Sequence, residues 1–116
     1  MATLTEIVDV YCAAWNAPDP QRRRELLEQS VPVTVRYTDR GVDVTGLDAL
    51  ADHLGAVLER RPGAQVLRTS EVDAHHAVAR FDRHVVRDGS ELVRGVDFVD
   101  VDADGRLARV VGFLTA

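Results

Sequence analysis

Asp97 is the residue of this sequence whose position gives an ordinary side chain chemical potential. It lies in Gly95-Val96-Asp97-Phe98-Val99-Asp100-Val101-Asp102, which alternates as a β-strand does, and Asp104-Gly105 then supplies a tight turn before the apolar run Leu107 to Leu114. Asp100 and Asp102 approach the turn, where water reaches them. Asp97 sits mid-strand between Val96, Phe98 and Val99, where an ionised carboxylate is costly unless it has a partner. Two readings stay open: Asp97 faces solvent on a half-exposed strand, or it faces the interior and is a functional group.

The other reactive residue types narrow the chemistry. All 14 basic residues are arginine, so no lysine is present for a Schiff base or as an amine nucleophile. Cys12 is the single cysteine, which rules out an internal disulfide and a multi-thiolate metal site and favours a small packed side chain. His75-His76, as adjacent strand residues, point to opposite faces and make a poor metal pair, and Asp82 with His84 is only a weak one. Asp100, Asp102 and Asp104 lack the following loop and distal glutamate of a calcium hand. No metal and no cofactor is expected. The net charge of −5 gives no electrostatic reason to expect nucleic acid or an anionic membrane, and Arg22-Arg23-Arg24 reads as the solvated face of a short helix. No apolar run approaches the roughly 20 residues of a membrane span, and the N-terminal stretch is acidic and amphipathic, unlike a signal peptide. The expected location is the cytoplasm.

The elements that must position these groups form a simple series. At 116 residues the chain fits one domain, 1–116. Thr3 or Thr5 caps a first helix with Leu4, Ile7, Val8, Tyr11, Ala14 and Trp15 along one stripe. Asp19-Pro20 starts a short helix to about Gln29. Val33 to Tyr37 reads as a strand, followed by a polar loop through Gly41 to Gly46. Leu47, Leu50, Leu54, Val57 and Leu58 mark a third helix, ended by Arg60-Arg61-Pro62-Gly63. Strands follow near Gln65 to Val72, Ala74 to Arg87, Glu91 to Asp102 and Arg106 to Thr115, with turn signals at Asp73, Asp88-Gly89 and Asp104-Gly105. Helices followed by antiparallel strands predict an α+β domain, with three N-terminal helices packed on one face of a strongly curved sheet. The hairpin at Asp88-Gly89 decides which residues share a face with Asp97. A two-residue loop pairs Arg80 with Asp97. A three-residue loop with Gly89 in a bulge instead puts Ala77, Ala79, Phe81, Arg83 and Val85 on that face, and this more apolar set is the expected one.

The order Tyr11-x-x-x-Trp15-Asn16, Gly46, Pro62-Gly63, Arg80-Phe81, Gly95-x-Asp97-Phe98 and Asp104-Gly105-Arg106 resembles the nuclear transport factor 2-like superfamily, especially its SnoaL-like polyketide cyclase branch, over nearly the whole chain. The resemblance implies a cone-shaped α+β barrel. It leaves chemistry open, because isomerases, dehydratases, epoxide hydrolases, cyclases and binding domains share that fold. Compared with the ketosteroid isomerases of the superfamily, Asp97 matches the oxyanion-hole aspartic acid, a carboxylic acid that an apolar site keeps neutral so that it can donate a hydrogen bond. Tyr11 matches the oxyanion-hole tyrosine, and His53 a pocket-lining position of the third helix, where a histidine can move protons near neutral pH. Tyr37 stands where those enzymes carry their aspartate base, with Asp39 two residues later.

These readings predict a cavity in which Asp97 faces Tyr11, Trp15, His53, Phe81, Val110 and Leu114, with Tyr37 or His53 as proton carrier. Arg83 is the competing influence: it either neutralises Asp97 or binds a substrate carbonyl or carboxylate. The expected function is cofactor-independent proton transfer with enolate stabilisation on a small hydrophobic carbonyl compound, as in a cyclase or isomerase. A non-catalytic ligand-binding domain is the alternative. An epoxide hydrolase is a third, favoured if Arg80 and Asp82 face Asp97. A homodimer is expected through the sheet face away from the helices, because Val96, Phe98, Val111 and Phe113 otherwise form an exposed apolar patch.

Overall fold

The computed structural model describes residues 2–115. Three helices, α1 (Leu4–Trp15), α2 (Pro20–Ser30) and α3 (Leu47–Arg60), cover one face of a sheet built from β1 (Arg36–Asp39), β2 (Val42–Thr45), β3 (Gln65–Arg68), β4 (Asp73–His75), β5 (Val78–Arg87), β6 (Ser90–Val101) and β7 (Leu107–Thr115). The strand order is β2-β1-β7-β6-β5-β3, with β4 also pairing β5. Only the β1–β7 contact is parallel. None of the described helices is long and apolar enough to cross a membrane.

Local chemistry sets the helix ends. Thr3 caps α1 in a capping box, its hydroxyl accepting from the Glu6 N–H while the Glu6 carboxylate accepts from the Thr3 N–H. Asp19 caps α2, with Pro20 at the first helical position. α3 begins after Gly46, whose φ of +99° suits glycine and whose N–H donates to Val35 O at 2.7 Å. The apolar stripes of these helices then bury Val8, Tyr11, Trp15, Leu26, Leu27, Leu50 and Leu54 against the sheet residues Tyr37, Phe81, Val99 and Val110.

Several expectations need correction. The region expected as a polar loop from Gly41 to Gly46 contains β2, which pairs antiparallel with β1, and the first strand starts at Arg36 rather than Val33. The stretch read as one strand from Ala74 to Arg87 is a hairpin. His76 and Ala77, at φ +48° and +62°, turn the chain between β4 and β5 without any glycine to mark the place. Ala77 therefore belongs to a turn and not to the inner face. Arg23 is buried rather than solvated. Its guanidinium donates to Ala17 O and Pro18 O, both at 3.1 Å, and ties the α1–α2 connection together against Gly55 of α3.

The decisive hairpin joins β5 to β6 through a two-residue turn, Asp88-Gly89, with both φ values positive. Left alone, that turn pairs Arg80 with Asp97. One extra residue in β6, Leu92, forms a bulge between the pairs Val85↔Val93 and Val86↔Glu91 and moves the register by one. Phe81 then stands opposite Asp97, and Ala79, Phe81, Arg83 and Val85 face the helices. The expected set apart from Ala77 faces inward, but the bulge responsible lies in the strand and not at Gly89. Arg80 and Asp82 are exposed on the outer face.

Candidate functional site

One end of the space between α3 and the sheet remains open as a cavity of about 160 Å3. A larger concavity, about 340 Å3, lies on the outer sheet face among exposed residues such as Arg80, Phe98 and Asp100. The inner cavity carries the candidate site, because the buried Arg83–Asp97 pair meets it through Arg83.

Its aromatic wall comes from three elements. Trp15 ends α1, Tyr37 points inward from β1 and His53 from α3, with ring centroids 5.6–5.8 Å apart. Val57, Leu58, Val66, Val85, Val93 and Leu114 supply apolar wall. Burial holds the His53 imidazole below its ordinary pKa of 6.5; nearby Asp39 opposes this and Arg60 reinforces it. His53 is therefore a neutral imidazole at pH 7, able to accept a proton.

The polar floor follows from strand alternation. Gly112 of β7, Asp97 of β6 and Phe81 of β5 form one cross-strand row on the inner face, and Asp39 of β1 reaches the same place. Gly112 makes the convergence possible. A Cβ there would lie 3.0 Å from Asp97 Oδ1, 3.4 Å from Arg83 Nη2 and 3.5 Å from Asp39 Cβ. A glycine within a strand often marks such a close approach, and this was the available signal in the sequence.

Arg83 Nε donates to Asp97 Oδ2 at 3.2 Å, with both side chains at least 95 % buried. A guanidinium cannot lose its proton in a protein, so the buried Arg83 requires a counter-ion and Asp97 supplies it. Burial raises the Asp97 carboxyl above its ordinary value, while Arg83 pulls it back. Arg83, the competing influence, therefore reaches the carboxylate, and its pull opposes the upward shift on which the expected neutral-donor role of Asp97 depends. Among the described residues the Asp97 Oδ1 is buried without a hydrogen-bond partner, as is the Tyr11 hydroxyl. Burial, with the neighbouring Tyr37 and Asp97 groups, pushes the Tyr11 phenol well above its ordinary value, so it keeps its proton.

Of the residues expected around the cavity, Trp15, Tyr37, His53, Arg83 and Leu114 line it. Tyr11, Asp97, Phe81 and Val110 do not; they are buried in the packed interior. Asp39, Arg60 and Arg61 are charged wall residues that sequence reasoning missed as members of the site. Asp39 is bound at both oxygens. Its Oδ2 accepts from the Tyr37 hydroxyl at 2.7 Å and its Oδ1 from the Gly41 N–H at 2.8 Å. Burial first, and then this hydrogen bond, raise the Tyr37 phenol, which remains a donor. Cys12 is packed in the core with its thiol pushed up to about 12, which leaves it protonated and unreactive at neutral pH.

The outer face differs from expectation at the histidines. His76 lies in the turn, so its ring meets that of His75, with Nδ1 atoms 3.1 Å apart, instead of pointing away. Among the described residues no three His, Cys, Asp or Glu side chains cluster as metal ligands would. Arg80 and Asp82 are separated from the Asp97 face, so the constellation an epoxide hydrolase reading required does not assemble.

The SnoaL-like domain family matches residues 8–110. The chain belongs to the SnoaL-like family. A provisionally assigned isomerase of that family from Agrobacterium tumefaciens is 32 % identical, with 95 % of each chain covered and a TM-score of 0.88. A nuclear transport factor 2-like protein of unknown function from an Exiguobacterium species shares the fold at 17 % identity, with 94 % of this chain and 98 % of that one covered, TM-score 0.76. A provisionally assigned polyketide cyclase from Sinorhizobium meliloti does so at 19 % identity, with 91 % and 92 % covered, TM-score 0.71. A search among curated proteins gives no match. The fold is therefore the α+β cone of the SnoaL-like proteins.

Proposed function

We propose that this SnoaL-like protein catalyses proton transfer on a small hydrophobic carbonyl compound, in the manner of an isomerase or cyclase, without a cofactor. The observation that carries this reading is Arg83. Its Nε is committed to Asp97, while its two terminal amino groups make no hydrogen bond among the described residues and belong to a side chain on the cavity wall. A fixed cation with free donors, buried beside an apolar cavity, stabilises the oxygen of an enolate as charge develops on it. Asp97 acts as a positioning residue that holds the guanidinium, and Tyr11 lies behind it in the core.

The proton moves at the opposite wall. Asp39 restores a carboxylate two residues beyond Tyr37, on the same face of β1, and Tyr37 and His53 flank it. In this reading Asp39 removes a proton from the carbon next to the carbonyl. Protonated Asp39 returns it at another position, directly or through neutral His53, which takes the proton from Asp39 and passes it on, so Asp39 ends as a carboxylate and charge is conserved through the cycle. The apolar wall excludes water and strengthens the interaction with Arg83.

Deuterium exchange tests this. The α-protons of 2-tetralone are followed by NMR in D2O, with the protein and with its Asp39→Asn variant. Exchange accelerated by the native protein and lost in the variant is expected. Binding of the ketone without accelerated exchange overturns the catalytic reading and leaves a ligand-binding domain.

The outer face supports a second proposal, that two copies pair through it. Phe98 and Phe113, 42 % and 60 % exposed, stack edge to face with centroids 5.8 Å apart on the side away from the cavity. Sedimentation at micromolar concentration is expected to give a dimer, shifted toward monomer by Phe98→Asp. A native monomer would refute it.

A further inference from the structure

The charge balance around the cavity is opposite to that of the chain. The protein carries 19 acidic residues against 14 arginines, whereas the cavity wall holds Arg60, Arg61 and Arg83 against a single carboxylate, Asp39. Arg83 is matched by Asp97 beneath it. Arg60 and Arg61 are not matched. They are exposed where α3 ends, and among the described residues neither guanidinium forms an ion pair or donates a hydrogen bond. Complementing the negative pole of α3 accounts for a preference for cations there, but not for two neighbouring guanidinium groups at the edge of the same cavity.

We infer that the ligand is an oxo-acid: its carbonyl enters toward Arg83, and a carboxylate remains near the mouth against Arg60 and Arg61. This rests on the proposed carbonyl chemistry and adds the class of substrate. A planar guanidinium fork matches a carboxylate in two parallel hydrogen bonds. Inside the cavity, Asp39 would repel a second anion, so the charge belongs at the mouth and the uncharged end inside. The same polarity orients the substrate. With the acid held outside, the enolisable carbon lies between Asp39 and Arg83.

Trp15 makes this measurable, since it is the only tryptophan and its indole lines the cavity. Its fluorescence is titrated with 3-benzoylpropanoate and with the corresponding uncharged amide, which keeps the same carbon skeleton. The carboxylate is expected to bind about tenfold more tightly than the amide at low salt, with the preference shrinking as salt is added. In an Arg60→Gln/Arg61→Gln variant the ratio should fall to about twofold or less, as expected for loss of charge-assisted hydrogen bonds. Equal binding of the two probes to the native protein overturns the inference, as does a preference that survives in the double variant, or no binding of either probe. The catalytic reading is judged separately by tetralone exchange. Anion preference without exchange sinks the catalysis and keeps the oxo-acid; exchange without preference does the reverse.

Discussion

Two arginine–aspartate pairs on β5 differ in almost nothing but their side of the sheet. Arg80 Nε meets Asp73 at 3.1 Å and Arg83 Nε meets Asp97 at 3.2 Å. The first pair is more than 60 % exposed on the outer face, and the second is at most 5 % exposed beneath the cavity. Equal distance hides unequal energetics. Water solvates the separated ions of the outer pair nearly as well as they solvate each other, so the pair contributes little. Inside, neither ion has that alternative, and each is held by the other. The inner pair also differs within itself: a carboxylate can take up a proton when its partner is lost, but a guanidinium cannot give one up.

The sharpest way to break the comparison is to remove the acid from each pair. Asp97→Ala strands a buried guanidinium and should cost about 3–5 kcal/mol in urea unfolding, against about 0–1 kcal/mol for Asp73→Ala. Equal costs would show that burial is not what separates the pairs. Next comes Arg83→Met, which removes the cation but lets Asp97 protonate, so the protein should stay folded with the Asp97 carboxyl titrating higher in carbon NMR than in the native chain. Tetralone exchange should then fall about 100- to 1,000-fold, the usual cost of losing an oxyanion donor. A smaller loss would place the oxyanion elsewhere.

Gly112→Ala perturbs only the inner pair. Its methyl group meets Asp97 Oδ1 at 3.0 Å, and the strain should cost about 1–3 kcal/mol and slow exchange, with no effect on the Arg80–Asp73 side. The smallest effect concerns His53. Its pKa is depressed in the folded protein, so the unfolded chain binds the proton more readily between the two values. Its contribution to stability is therefore complete above about 6.5 and is lost as pH falls through the lower folded value. NMR titration should place His53 below 6.5, and His53→Gln should flatten the acid-side slope of stability that this residue contributes.

Much of the scaffold was legible because its signals are local. The Thr3 cap, Asp19-Pro20 and the stripe of α3 each lie within one or two turns of chain, and the helices occur where those residues predict. The strand ends were harder. His76 and Ala77 adopt left-handed conformations that their residue types do not announce, and the Val42–Thr45 edge strand is too short and polar to distinguish from a loop. Arg23 looked solvated because its neighbours are; its burial depends on carbonyls left free at the α1–α2 connection. At the site, the inward set on β5 was legible but the position of Asp97 was not, since whether a strand carboxylate meets a cavity or a guanidinium depends on a side chain 14 residues away. Asp39 escaped because the sequence suggested a strand ending at Tyr37, two residues before β1 ends, which left Asp39 in a loop without a defined face.

Leu92 is a single residue, and the inward face of β5 depends on it. Pairing it with Val85 instead of bulging it out would leave the two-residue turn at Asp88-Gly89 to dictate pairing, bringing Arg80 opposite Asp97, where Phe81 now packs, and Asp82 opposite Gly95, where Arg83 now stands. A slip of one residue would thus exchange Phe81 and Arg83 for Arg80 and Asp82 beside Asp97. For a small cone-shaped protein, this is a short path from one interior lining to another, in which the inward set changes by sliding a strand before any side chain is replaced.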